Sequence, residues 1–179
     1  MESARRDSQN VFGIDPLTGA LLPTKFNEIL AREIMFSKRA NTAISVITIS
    51  ISKIAQENFK KISNDKDLLI DEFMVQMVFD LRKILRKTDC ICRINATGLW
   101  LLITNPPSPT RLPEVDQNVL INRVKALAYQ VLSKYFANFS SASDLASIST
   151  SSLLIEQVVY SGEEYLEYLA RIDRSFFLN

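Results

Sequence analysis

The sequence predicts an α+β domain. Three observations carry that class. Ala43–Ile51 is a run rich in β-branched residues, with two alternating faces. Cys90–Ile103 reads as two apolar runs joined by a tight turn. Around these strands, several segments repeat apolar residues three and four positions apart, as helices do.

Bulk composition narrows the class. The 179 residues suffice for one domain with a sizeable core. Basic and acidic residues nearly cancel, 21 against 20. Charge therefore gives no reason to propose nucleic acid or an anionic membrane as the main partner. The sequence contains no histidine, which removes the commonest general base and the best zinc ligand. Two cysteines, Cys90 and Cys92, are too few for a disulfide framework or a four-ligand metal site. Met1–Asn10 lacks an apolar signal core. No run reaches the roughly 18 apolar residues of a membrane helix. The expectation is a cytoplasmic domain, alone or within a larger or membrane-associated protein, with no membrane insertion of this segment.

Taken in order, residues 1–12 read as a polar leader or linker and residues 13–179 as the domain. Asp15-Pro16-Leu17-Thr18-Gly19 is a turn sequence. A helix is expected over Lys25–Arg39, with Thr24 as N-cap and Phe26, Ile29, Leu30 and Ile34 on one face. In Ala43–Ile51, Ile44, Val46 and Thr48 face one way, and Ser45, Ile47, Ile49 and Ile51 the other. Residues 53–67 are polar and predict one short helical turn. The next helix, Leu68–Lys87, shows Ile70, Met74, Met77, Val78, Leu81 and Leu85 on one face. Its end carries Arg82, Lys83, Arg86 and Lys87, as a helix dipole favours.

The hairpin follows. Cys90, Ile91, Cys92 and Ile94 form its first run and Leu99–Ile103 its second, uninterrupted and so buried. Asn95-Ala96-Thr97-Gly98 makes the turn, with Gly98 able to take φ > 0. Cys90 and Cys92 share a face and read as reduced core thiols; Trp100 reads as core rather than as a stacking platform. Asn105–Asp116 is a proline-rich loop. The helix Gln117–Phe136 buries Leu120, Val124, Leu127, Ala128 and Val131. Serine-rich Ser140–Ser152 leads to a strand near Ile148–Ile155. Ser161-Gly162-Glu163-Glu164 is a capping box that opens a last helix.

Four short motifs keep a recognisable order. Asp15, Leu17, Thr18 and Gly19 precede Phe26. Arg86-x-x-Asp89 is followed by five residues and then Asn95-Ala96-Thr97-Gly98-Leu99. Thr150 and Ser152 are followed by Leu154. The stretch Leu169–Phe177 contains Asp173. This order resembles the GGDEF family, the bacterial diguanylate cyclase domains, from about Asp15 to Phe177. The frame is kept and the signature letters are replaced. The resemblance implies the nucleotidyl cyclase palm-like fold: a central, mainly antiparallel sheet flanked by helices, with a β-hairpin at the degenerate signature.

Active members of that family condense two GTP molecules into cyclic di-GMP around two metal ions held by carboxylates. In this sequence the strand-end carboxylate position is Ser50, and the turn positions are Asn95, Ala96, Thr97 and Gly98. Neutral hydroxyls cannot offset the charge of a divalent ion. The resemblance therefore implies no cyclase activity, no catalytic residue, no metal and no Mg²⁺ cofactor. Asp71 falls where the family has a guanine-binding aspartate, but it reads first as a first-turn acid at a helix N-terminus. Asn64 stands near the family's guanine-contacting asparagine. Arg86 and Asp89 match the family's inhibitory site, which binds cyclic di-GMP, and Arg93 would add charge there. Against this stands a plain reading, a solvated helix end with Asp89 capping a turn.

Three functions follow for an inactive signalling domain of this kind. It is a cyclic di-GMP receptor through Arg86 and Asp89, or a protein-interaction or homodimerisation scaffold that binds no nucleotide, or a domain that binds GTP without turnover. The first requires Arg86 free at the surface beside Asp89. Enzymatic function would require Asp65, Asp67 or Asp71 to converge on the hairpin turn.

Overall fold

The computed structural model describes residues 13–40, 42–105, 113–136 and 152–177. The expected leader over residues 1–12, most of the proline-rich loop, most of the serine-rich stretch and Thr150 lie outside these residues. Helix α1 (Pro23–Ala40) is followed by β1 (Ala43–Ile51), α2 (Lys53–Ile62) and α3 (Lys66–Ile84). Then come the hairpin strands β2 (Cys90–Asn95) and β3 (Gly98–Asn105), helix α4 (Pro113–Phe136), strand β4 (Leu153–Val159) and helix α5 (Tyr165–Phe177).

The four strands form one sheet in the order β2-β3-β1-β4, with every neighbouring pair antiparallel. Strands β1 and β2 run parallel with β3 inserted between them, which is a split βαβ arrangement. The expected α+β architecture, an antiparallel sheet flanked by helices, is the one observed.

Alternation along the strands builds two cores. Ile47, Ile49 and Ile51 of β1 join Leu99, Leu101 and Ile103 of β3 against α2, α3 and α4. On the other face, Ile44 and Val46 join Cys92, Trp100 and Leu102 against Phe26, Leu30 and Ile34 of α1 and Tyr168, Ile172 and Phe176 of α5. Because the sheet is covered on both sides, β1 is buried along nearly its whole length, Ser45 and Thr48 included.

Several local expectations are corrected. Thr24 is not the cap of α1, because Pro23, with its preset φ, already occupies the first turn. Residues 53–67 hold a ten-residue helix rather than a single turn. Ser52 caps α2 by accepting from the Ala55 amide at 3.2 Å, and Ala55 and Phe59 bury one narrow face. Helix α3 stops at Ile84, since Leu85 turns extended (φ −86°, ψ 153°). Arg86 and Lys87 therefore lie beyond the helix, and its dipole acts on Arg82 and Lys83 only. Strand β4 is described from Leu153 to Val159, and residues 148–151 of the expected strand lie outside the described residues. The proposed capping box does not form. Glu163 accepts from the Ser161 amide and hydroxyl, both at 2.8 Å, and pairs with Arg171.

The hairpin forms as expected, with Asn95 paired to Gly98 across Ala96-Thr97. Gly98 is not among the glycines of positive φ, which are Gly13, Gly19 and Gly162. Its role is space. A Cβ there would overlap the Phe176 ring and stand 2.7 Å from its Cε2 atom.

Candidate functional site: the Arg86–Asp89 turn and the hairpin end

The Arg86–Asp89 turn grows out of the end of α3. Once Leu85 leaves the helix, the Arg86 amide needs a partner. The Asp89 carboxylate supplies it at 2.9 Å, and the Asp89 amide donates back to the Arg86 carbonyl at 3.1 Å. The second Asp89 oxygen accepts from the Thr104 amide of β3 at 3.4 Å. Asp89 is thus a turn cap that ties α3 to the hairpin. Burial pushes its carboxyl above the ordinary range, although both amide bonds oppose that shift. A carboxylate offers about four acceptor sites, so two remain open.

Arg86 and Lys87 are exposed. Neither side chain joins an ion pair among the described residues. Arg82, one turn earlier on α3, donates to the Gly19 carbonyl at 2.6 Å. That carbonyl belongs to the Asp15–Gly19 turn, which Thr18 closes by donating its amide and hydroxyl to Asp15 at 3.0 and 2.6 Å. The result is a cavity of about 360 Å³ in which Arg82, Arg86, Lys87 and Asp89 stand beside the apolar side chains of Leu21 and Ile91.

Arg93 lies elsewhere. It points to the α3 side of the sheet, where its guanidinium bridges Asp15 at 3.3 Å and Asp71 at 2.5 Å. Only 12% of its side chain is exposed. Burial opposes the Asp15 charge, but the bonds from Thr18 and Arg93 outweigh it and hold that carboxyl below the usual range. Asp71 is not in the first turn of α3; it is the second partner of Arg93. Sequence spacing gave no sign of this bridge, because its members are 78 and 22 positions apart. Nor did it mark Arg82 as a wall of the cavity.

Ser50 and the hairpin-turn residues converge. Ser50 pairs with Gly98 across β1 and β3, and the Ile51 amide donates to the Thr97 carbonyl at 2.9 Å. Asn95 closes the turn by accepting from the Thr97 amide at 2.9 Å. Ser50, Asn95, Ala96, Thr97 and Gly98 therefore meet at one end of the sheet, offering hydroxyl, amide and backbone groups. Asp65 caps α3 by accepting from the Leu68 amide, Asp67 pairs with Lys66, and Asp71 is held by Arg93. Among the described residues, no group of three or more Cys, Asp or Glu side chains could hold a metal ion. Asn64 is exposed. Trp100 is buried between Phe26 and Phe176, edge to face with both. Cys92 is fully buried, and burial pushes its thiol up to about 12; Cys90 is half-buried.

No family model matches the sequence, and no curated protein matches it. Solved structures do. A sensory box/GGDEF family protein from Caulobacter crescentus is 14% identical, with a TM-score of 0.65 over 93% of this chain and 96% of that one. A microbial GGDEF domain described in its interaction with cyclic di-GMP is 14% identical, with a TM-score of 0.63 over 93% and 89%. The GGDEF domain of TpbB (YfiN) from Pseudomonas aeruginosa is 16% identical, with a TM-score of 0.60 over 92% and 87%. At these identities the likeness is one of architecture: the chain has the fold of GGDEF domains, carried over nearly its whole length.

Proposed function

We propose that this domain is a cyclic di-GMP receptor without diguanylate cyclase activity, and that Arg86 and Asp89 form its binding site. One observation carries the reading. Arg86 is exposed, without an ion-pair partner among the described residues, on the wall of a cavity that also presents the half-buried Asp89 carboxylate. A guanidinium fork suits a phosphate or the face of a purine. The open acceptor sites of Asp89 suit the donor edge of guanine. Arg82 and Lys87 add positive charge for a ligand with two phosphates. Arg93, expected to help, has its charge balanced by Asp15 and Asp71 and serves the fold.

The absence of turnover rests on the hairpin end. Ser50, Thr97 and Gly98 stand together where charge on a divalent ion would need carboxylates. The same argument weighs against GTP binding there, since the triphosphate charge would be left unbalanced.

A thermal-shift titration tests the reading. Cyclic di-GMP at a hundredfold excess over Kd should stabilise the domain by about 2.7 kcal/mol. Cyclic di-AMP, which lacks the guanine donor edge, should shift it far less. Equal shifts with both, or none with either, would contradict the assignment. A second reading, a scaffold that binds no nucleotide, draws support from Met35, Phe36, Leu68 and Phe79, each more than half exposed.

A further inference from the structure

We propose that the open flank of α1 is a docking groove for an acidic segment of a different protein, anchored by one aromatic or large aliphatic side chain. Ile29, Arg32, Glu33 and Phe36 recur three and four positions apart, so they share one flank of the helix. That flank lies beside the buried stripe of Phe26, Leu30 and Ile34 and outside it. Between it and the Arg86–Thr88 turn is a cavity of about 890 Å³. The adjoining strand β2 is an edge of the sheet. Leu21 pairs with Ile91 and Arg93 along that edge, and Thr88 and Cys90, which line the groove, lie short of the pairing.

The lining selects the occupant. Ile29, Phe36 and Cys90 make the groove apolar, and Phe36 is 58% exposed. Arg32, Arg86 and Lys87 stand against one carboxylate, Glu33, which Arg32 engages at 3.1 Å. Arg86 and Lys87 are left without an ion-pair partner among the described residues. A segment that covers the ring and balances these charges is apolar at one position and carries Asp or Glu beside it. Aromatic and arginine side chains together are the composition that dominates binding energy at protein interfaces. A small ligand buries most of its surface in its pocket, and a wall with a ring this exposed does not enclose one. Nucleic acid would demand a broader basic surface than this nearly neutral chain offers. The segment that follows β3, residues 106–112, carries Arg111 and no acid, so its charge is wrong for the groove. Arg86 and Lys87 also stand in the smaller cavity, but docking on Phe36 requires no nucleotide.

Selection on the ligand-free domain from a displayed library of random peptides, each about 12 residues long, tests it. The enriched peptides should share one aromatic or large aliphatic residue with Asp or Glu beside it. Fluorescence anisotropy then measures the most enriched peptide, labelled at one end. Its binding should weaken as NaCl is raised. It should weaken about 10-fold or more in Phe36→Ser and in Arg32→Glu. Both residues are exposed, so each variant should keep its melting temperature. Phe79→Ser removes an equally exposed ring on α3, outside the groove, and should bind as the unmodified domain does. A library that yields no enriched peptide, or peptides without acids, would overturn the proposal. So would binding that survives Phe36→Ser or is lost in Phe79→Ser. Phe36 and Arg32 do not line the smaller cavity, so both variants should retain any cyclic di-GMP shift. Failure of the docking groove and failure of the nucleotide site are thereby read separately.

Discussion

Arg93 shows how a single residue changes meaning between sequence and structure. In the sequence it is a charge close to Arg86 and Asp89. In the fold it faces the other side of the hairpin and holds the Asp15 turn to α3 through Asp71. Arg93→Ala would leave two carboxylates facing each other without a cation. The expected cost is about 3 kcal/mol, measured as a fall in the urea midpoint with an unchanged slope. The acid dependence of stability follows from Asp15 and Asp89, with opposite signs. The Asp15 carboxyl is lowered from its ordinary 3.8. Its contribution is therefore complete above that unfolded value and is lost as pH falls through the folded one. Asp89 is raised by burial; ionising it disfavours the fold at neutral pH, and protonation relieves that penalty as pH falls. Asp15→Asn should destabilise the domain near pH 6, and its difference from the unmodified protein should shrink towards about pH 2. Denaturant titrations across that range check the sign; a difference that grows in acid would refute it.

At the scale of elements, the strands and long helices were legible because their periodicity is strong. β1 has the predicted ends, and α1 and α3 bury most of the predicted residues. Helix α2 was less legible because only Ala55 and Phe59 among its described residues enter the core, too sparse a pattern to stand out from a polar loop. The hairpin was legible, but the reason for its glycine was not. Gly98 makes room for a ring that arrives from α5, 78 positions later in the chain. Gly98→Ala should cost about 1–3 kcal/mol through overpacking. In the Gly98→Ala/Phe176→Ala double variant the cost should fall below the sum of the single effects, since the methyl group gains the space of the lost ring. Additive effects would show that the two sites are not in contact. The thiols report on the same sheet. In the native domain Cys90 should react with a disulfide reagent, whereas Cys92, buried with its thiol near 12, should react only on unfolding.

For the whole molecule, weak motifs in a fixed order identified an architecture that no single motif could. The Asp15–Gly19 turn, the Arg86–Asp89 turn and the hairpin are far apart in sequence. The fold gathers the first two around one cavity through Arg82 and its bond to Gly19. The third closes the end of the sheet, where Ser50 meets Thr97 and Gly98. Among the described residues, no helix is long and apolar enough to cross a membrane. What the sequence hid was the allocation of charge: Arg93 is committed to the fold and Arg86 faces solvent, and only the course of the chain after Ile84 decides between them. The proposed receptor function depends on Arg86 as the grip for a nucleotide. The most direct test is calorimetric titration of cyclic di-GMP into the domain and into its Arg86→Ala variant. Binding should weaken about 10- to 100-fold in the variant, the worth of one charge-assisted contact. Equal affinity in the two proteins, or no heat with a well-folded domain, would contradict it.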